Sequence, residues 1–151
     1  MLGNNKVNLI SVTDFENNEI NLLDKYKGKT LLIIIYRNQC LGCAGRAIPL
    51  ANDFQEEFKE LQVIGIHTNF GKEKTTKGEV GSIFRKDEFP FPIYVDEKHE
   101  VFDQFQSEGT PQWLIITSEK ILYRSIFGSQ VGAQNRIKYA LEDLLNVQSQ
   151  F

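Results

Sequence analysis

The chain has 151 residues, of which 25% are charged and 41% are hydrophobic, and its formal net charge is −3. This composition is typical of one folded domain over residues 1–151 with a core of its own, and it excludes an intrinsically disordered chain. The acidic balance argues against nucleic acid as a partner, because phosphate backbones are bound by clustered Lys and Arg side chains.

The N-terminal segment predicts a β-hairpin. Val7–Val12 and Glu19–Leu22 flank the polar stretch DFENN, in which Asn17 and Asn18 suit a turn with positive backbone angles. The short helical turn LLDKYKGK follows. Residues 1–12 have neither the basic start nor the long apolar stretch of a secretory signal, which predicts a cytoplasmic protein.

The apolar run Leu31–Tyr36 predicts a central strand that is covered on both faces. It is much shorter than the roughly 20 residues that span a bilayer, so no membrane span is expected. Apolar residues then recur every three or four positions from Ala44 to about Glu60, which predicts a helix with a kink at Pro49. Val63–His67 is the next predicted strand, parallel to the first because a helix joins the two.

The second half of the chain predicts a helix, an extended segment, a second helix, a hairpin and a final helix. Residues 69–78 form a polar loop, VGSIFRK a helix, FPFPIYVD an extended segment and EKHEVFDQF another helix. Trp113–Thr117 and Ile121–Phe127 are separated by SEK and predict an antiparallel hairpin. The C-terminal amphipathic helix carries the apolar positions Ile137, Ala140, Leu141, Leu144 and Leu145.

The two cysteines of the chain, Cys40 and Cys43, form a Cys-x-x-Cys pair between the strand and the first long helix. Free backbone N–H groups and the helix dipole favour an anion there, so the Cys40 thiol should ionise more readily than a free cysteine. Cys43, three residues later, is in reach to resolve a mixed disulfide at Cys40. The pair therefore predicts a nucleophilic Cys40 and a resolving Cys43.

Two other interpretations of the pair are a zinc half-site and a pair of inert buried thiols. Tetrahedral zinc usually takes four ligands, and His67 and His99 are the remaining soft donors, at no finger-like spacing. No metal is therefore predicted. His67 itself is interpreted as a satisfied histidine at a strand edge, with proton transfer as the alternative.

Together with Gly109-Thr110-Pro111 ahead of the last hairpin, these motifs resemble the thioredoxin superfamily, in detail its TlpA-like and ResA-like thiol-disulfide oxidoreductases and their alkyl hydroperoxide reductase-like relatives. The resemblance implies an α/β thioredoxin-like fold, a central mixed sheet flanked by helices, with an added N-terminal β-hairpin. It also implies a cis Pro111 packed against the two sulfurs, and a Thr110 backbone that pairs with an extended substrate segment.

Several residues depart from the family pattern or tune the site. Gln39 stands where the family usually carries Trp, and it joins Thr110 and Pro111 in the expected substrate surface. Trp113 either flanks that surface or packs in the core. Arg37 and Arg46 either stabilise a thiolate or are solvated surface residues.

One further departure concerns the helix after the cysteine pair. Pro49 lies six residues after Cys43, where the family pattern has five, which predicts an extra residue or bulge in that helix.

The sequence thus predicts a monomeric thiol-disulfide oxidoreductase whose redox centre is the Cys40/Cys43 disulfide, with no other cofactor. Its partners would be a disulfide-containing protein or small-thiol substrate and an upstream reductant. The alternatives are a peroxiredoxin-like thiol peroxidase, which FPFPIYVDEKHEVFDQF resembles, and a non-catalytic binding module on the same scaffold.

Overall fold

The computed structural model describes residues 5–38, 43–69 and 89–146, and in these residues a seven-stranded mixed sheet has the strand order 2-1-5-4-3-6-7. The predicted helix VGSIFRK and the predicted loop after Asn69 lie outside the described residues. The strands are β1 (Ser11–Thr13), β2 (Glu19–Asn21), β3 (Thr30–Tyr36), β4 (Leu61–Thr68), β5 (Ile93–Asp96), β6 (Gln112–Ile116) and β7 (Leu122–Phe127).

Strand β3 lies in the interior of the sheet, parallel to its neighbour β4 and antiparallel to its other neighbour β6. All of its residues are buried. Leu32, Ile34 and Tyr36 point into one apolar cluster, whereas the alternate residues of β3 belong to a second cluster on the opposite face. The prediction of a central strand covered on both faces is confirmed, and the unbroken apolar run is explained by the two cores that it serves.

The helices are divided between the two faces of the sheet. They are α1 (Leu22–Lys25), α2 (Ile48–Glu57), α3 (Glu100–Gln104) and α4 (Val131–Leu141), with π-helical segments at Cys43–Ala47 and Glu142–Asn146. The apolar faces of α2 and α4 belong to the cluster around Leu32, and those of α1 and α3 to the other. Within the described part of the chain, no helix has the length and apolar character needed to cross a membrane.

The predicted N-terminal hairpin is present, although its first strand is shorter than expected. β1 pairs antiparallel with β2, and Asn17 in the turn has φ 66°. The Asp14 carboxylate accepts hydrogen bonds from the backbone N–H groups of Glu16 and Asn18. Because the N–H of Asn18 stabilises the charged form, the pKa of Asp14 lies below its ordinary value.

The residues before β1 leave the hairpin because they pair elsewhere. Lys6 forms an isolated antiparallel bridge with Ile121, and the N–H of Val7 donates to the carbonyl oxygen of Lys120. Ile10 donates instead to the side chain of Asn21, which also caps α1. The predicted strand Val7–Val12 therefore contributes only its last residues to β1.

The predicted helix from Ala44 to Glu60 is two segments. The π-helical turn Cys43–Ala47 leads directly into α2, which ends at Glu57. A π-turn holds one residue more than an α-turn, so this segment confirms the predicted bulge. Pro49 lies in the first turn of α2, where its missing N–H is tolerated, so the helical region is not one continuous α-helix but changes from π-helical to α-helical next to Pro49.

Strand β5 and helix α3 meet at Asp96. The carboxylate of this buried residue accepts from the backbone N–H groups of Val101 and Phe102 and from the hydroxyl of Thr68. These bonds satisfy the first donors of α3, so the helix starts at Glu100, later than its sequence pattern predicts. The predicted C-terminal hairpin and amphipathic helix are confirmed as β6, β7 and α4.

Candidate active site

The loop that carries the cysteine pair leaves the sheet at the end of β3. Tyr36 is the last residue of that strand, and Cys40 follows four residues later, outside the described residues. Cys43 begins the π-helical segment that precedes α2. The chain thus passes from a buried strand to a helix start across the Cys-x-x-Cys pair, as the sequence predicts.

The segment Thr110-Pro111 lies at the same edge of the sheet. Ile35 of β3 is in register with Gln112, the first residue of β6, so Pro111 precedes β6 where β3 ends. The Thr110-Pro111 peptide bond is cis, and the Pro111 carbonyl oxygen accepts a hydrogen bond of 2.9 Å from the N–H of Gly128. The sheet register therefore brings the start of the cysteine loop beside the proline loop.

An open cavity of about 430 Å³ borders the proline loop. Its lining includes Thr110, Pro111, Phe127, Gly128 and Arg136. The ring of Phe127 is 41% exposed, and Arg136 on α4 supplies a cation. The cavity combines an apolar surface with one positive side chain.

Trp113 belongs to the core and not to the substrate surface. Its side chain is fully buried, it packs edge-on against Phe54 with ring centroids 6.3 Å apart, and its indole N–H donates to the Gly128 carbonyl oxygen at 2.8 Å. The structure thus corrects the assignment of Trp113 to substrate binding in favour of core packing. The indole nevertheless anchors Gly128, which lines the cavity.

The remaining predicted site residues differ in how far the structure describes them. Arg37 is half-buried directly after β3, and Arg46 is exposed on the π-helical segment. Gln39 lies outside the described residues, as Cys40 does. In the described part of the chain, no group of three or more His, Cys, Asp or Glu side chains could hold a metal ion.

Gln112 is a site residue that the sequence analysis missed. Its buried side chain donates to the hydroxyl oxygen of Ser125 at 2.8 Å and accepts from the backbone N–H of Glu108 at 3.3 Å. These bonds tie the loop that precedes Pro111 to strand β7. The available signal was a glutamine at the start of an otherwise apolar strand, where a buried amide needs partners.

His67 lies close to the cysteine loop. It is the last but one residue of β4, is 3% exposed and pairs in register with Tyr36. One ring nitrogen, Nε2, accepts from the backbone N–H of Asn38, and the other lies 3.1 Å from Oδ1 of Asn69. This arrangement agrees with the interpretation of His67 as a structural histidine near a strand end whose ring nitrogens are both hydrogen-bonded.

Comparisons with known proteins place the chain in a family. The sequence model of the AhpC/TSA family matches residues 4–127. The thiol-disulfide oxidoreductase YkuV of Bacillus subtilis (strain 168) is 25% identical over 88 residues, which are 58% of this chain and 59% of that relative's length.

Solved structures show the same fold. A thiol-disulfide isomerase from Corynebacterium glutamicum has a TM-score of 0.75 and 23% identity, covering 95% of this chain and 98% of its own. The thioredoxin-like superfamily protein SPOA0173 has a TM-score of 0.76, also at 23% identity, over 93% of this chain and 96% of its own. The predicted thioredoxin-like fold is confirmed, and the chain belongs to the AhpC/TSA family.

Proposed function

We propose that the protein is a thiol-disulfide oxidoreductase that exchanges electrons between the Cys40/Cys43 pair and protein or small-molecule disulfides. The observation that supports this proposal is the register of β3 and β6, in which the end of β3 that precedes the cysteine pair lies beside the cis Thr110-Pro111 segment and its cavity. The names of the relatives support it, since YkuV is a thiol-disulfide oxidoreductase and the neighbour from Corynebacterium glutamicum is a thiol-disulfide isomerase.

The exchange has two steps. The Cys40 thiolate attacks one sulfur of a substrate disulfide, and the other substrate sulfur leaves as a thiolate that takes up a proton. Cys43 then loses its proton and attacks the Cys40 sulfur, which releases the second substrate thiol and leaves a Cys40–Cys43 disulfide. Two electrons pass from the dithiol to the substrate, and an upstream dithiol reductant restores the pair.

The surroundings of the pair suit each step. Backbone N–H groups at the start of the helical region favour the Cys40 thiolate, and a basic side chain such as Arg37 or Arg46 would favour it further. By the family resemblance, the backbone of Thr110, next to Pro111, would pair with an extended substrate segment. Gln39 stands at the sequence position where the family usually carries Trp, and it would contribute to substrate binding. The cavity beside Pro111 would accept substrate side chains.

Two serine variants test this assignment in a dithiol-coupled insulin reduction assay. Cys40→Ser should abolish turnover because it removes the nucleophile. Cys43→Ser should stop after one step and accumulate a mixed disulfide with the substrate, which mass spectrometry of the intact complex detects. Full activity of Cys40→Ser would refute the proposal.

A thiol peroxidase is the second candidate, and the match to the AhpC/TSA family over residues 4–127 favours it. Against it, peroxiredoxins place Pro and Thr or Ser a few residues before the reacting cysteine, and the residues Tyr36 to Gln39 supply neither. Stopped-flow mixing of the reduced protein with hydrogen peroxide separates the two. Oxidation at the rate of free cysteine eliminates the peroxidase, whereas oxidation orders of magnitude faster favours it.

A further inference from the structure

The hydrogen bonds of His67 fix the protonation of its ring. The backbone N–H of Asn38 lies 3.0 Å from Nε2, and a backbone N–H can only donate. Nε2 must therefore present a lone pair. The second nitrogen, Nδ1, then carries the proton and donates to Oδ1 of Asn69 at 3.1 Å. The arrangement therefore favours a neutral imidazole in the Nδ1–H tautomer. In an imidazolium, Nε2 would also carry a proton, and two N–H donors would face each other.

Asn69, one partner of the ring, is held by the rest of the fold. The N–H of Asn69 donates to the carbonyl oxygen of Asp96 at 3.1 Å, and the Asp96 carboxylate caps α3. The ring itself stands edge-on to Tyr36, with centroids 5.3 Å apart and an interplanar angle of 82°. His67 is thus fixed between two parallel strands, and one of its nitrogens reaches across to the chain that has just left β3.

That contact falls close to the reacting cysteine. Asn38 is two residues after the end of β3 and two residues before Cys40. An acceptor for the Asn38 N–H sets the direction in which the chain continues from the sheet. This acceptor comes from a distant part of the chain, since His67 is 29 residues away from Asn38.

We propose that neutral His67 is a positioning residue for Cys40, because it holds the backbone at Asn38, two residues before that cysteine. This inference rests on the proposed function. The role assigned to His67 is structural, since its two ring nitrogens lie in a buried site and are hydrogen-bonded to Asn38 and Asn69.

Two substitutions test the proposal, and they differ from each other only in the length of the side chain that carries the amide group. The carbonyl oxygen of Gln in His67→Gln reaches about as far as Nε2 and can accept from Asn38. The shorter Asn in His67→Asn reaches only as far as Nδ1, so it can meet Asn69 but not Asn38. His99→Asn is the matched control, because His99 lies at the start of α3 with φ 64°, a conformation that Asn tolerates.

The first readout is hydrogen exchange at the amide of Asn38. Loss of one buried hydrogen bond should speed that exchange by about tenfold or more in His67→Asn, with a change of less than about threefold in His67→Gln and His99→Asn. The second is the rate at which iodoacetamide alkylates Cys40 in a Cys43→Ser background, which should change by at least about tenfold in His67→Asn and recover in His67→Gln. Equal behaviour of the two amide variants in both readouts would overturn the proposal.

The unaltered protein supplies a third measurement that does not depend on a variant folding. Long-range proton–nitrogen NMR correlations of His67 should show a protonated Nδ1 and an unprotonated Nε2, and the opposite tautomer would refute the geometry. None of these readouts needs turnover. If Cys40→Ser stays active while the Gln and Asn variants differ as expected, the proposed function fails and the anchoring of the loop by His67 stands.

Discussion

Replacing Trp113 by Phe should destabilise the protein through one lost hydrogen bond and one underfilled space. The indole N–H donates to Gly128 at 2.8 Å, and such a bond contributes about 1 kcal/mol net. The side chain is 0% exposed, and the smaller ring leaves a void in a fully packed core. Truncation of Trp to Ala typically costs about 3–5 kcal/mol, so the partial loss of volume should cost about 1–2 kcal/mol. The free energy of unfolding should fall by about 2–3 kcal/mol in total.

Urea denaturation followed by far-ultraviolet circular dichroism measures this loss. With a urea dependence of about 1–3 kcal/mol per molar, the midpoint should move down by about 0.7–3 M. Tyr139→Phe is the control. This aromatic side chain is 63% exposed, so the substitution should change the free energy of unfolding by no more than about 0.5 kcal/mol. A loss below about 1 kcal/mol for Trp113→Phe would show that neither the bond to Gly128 nor the packing stabilises the proline loop as reasoned.

Three more substitutions test separate parts of the fold. Burial, and to a smaller extent the hydrogen bond to Tyr26, raises the pKa of Tyr94, so the wild type should lose stability as pH rises above the ordinary tyrosine value near 10. In Tyr94→Phe, the free energy of unfolding should therefore fall less than in the wild type between about pH 9 and 11. An equal fall in the two proteins would contradict this. The lowered pKa of Asp14 means that its carboxylate stabilises the hairpin above the ordinary value of 3.8 and that this contribution is lost as pH falls through the lower folded value. Asp14→Asn should therefore lose less stability than the wild type between about pH 5 and 2, measured by urea denaturation at each pH. A Cβ at Gly65 would lie 3.1 Å from the nearest side-chain atom, so Gly65→Ala should lower the free energy of unfolding by about 1–3 kcal/mol. Gly132→Ala is the control, because a Cβ there would have no atom within 4 Å, and it should leave the protein equally or more stable. Thermal denaturation measures both variants.

The elements that the sequence predicts well are those whose pattern directly reflects burial. The unbroken apolar run of β3 has one explanation, a strand between two cores, and the structure has that arrangement. The six-residue spacing from Cys43 to Pro49 predicts a bulge, and a π-helical turn occupies the place. In the first case the local chain alone carries the information, whereas the second prediction also needs the spacing of the family that the motifs resemble.

The parts that the sequence does not predict depend on contacts between distant segments. Val7 is apolar and looks like a hairpin residue, yet its N–H pairs with Lys120 near the other end of the chain. Trp113 suits a groove or a core equally, and the contact with Phe54 on another element decides for the core. The same holds for His67, since its acceptor role exists only because the parallel pairing of β3 and β4 brings Asn38 to it. The catalytic roles of Cys40 and Cys43 remain predictions.

The protein contains a single tryptophan, and that residue sits two positions beyond the cis peptide bond with its ring enclosed on all sides. Its ultraviolet emission therefore originates from one location, with no second indole to blur the signal. A blue-shifted spectrum is expected, and any change of intensity on oxidation, reduction or addition of a disulfide peptide would report directly from beside the proline loop. The fold thus supplies its own label for following the exchange reaction in real time, without attachment of a dye.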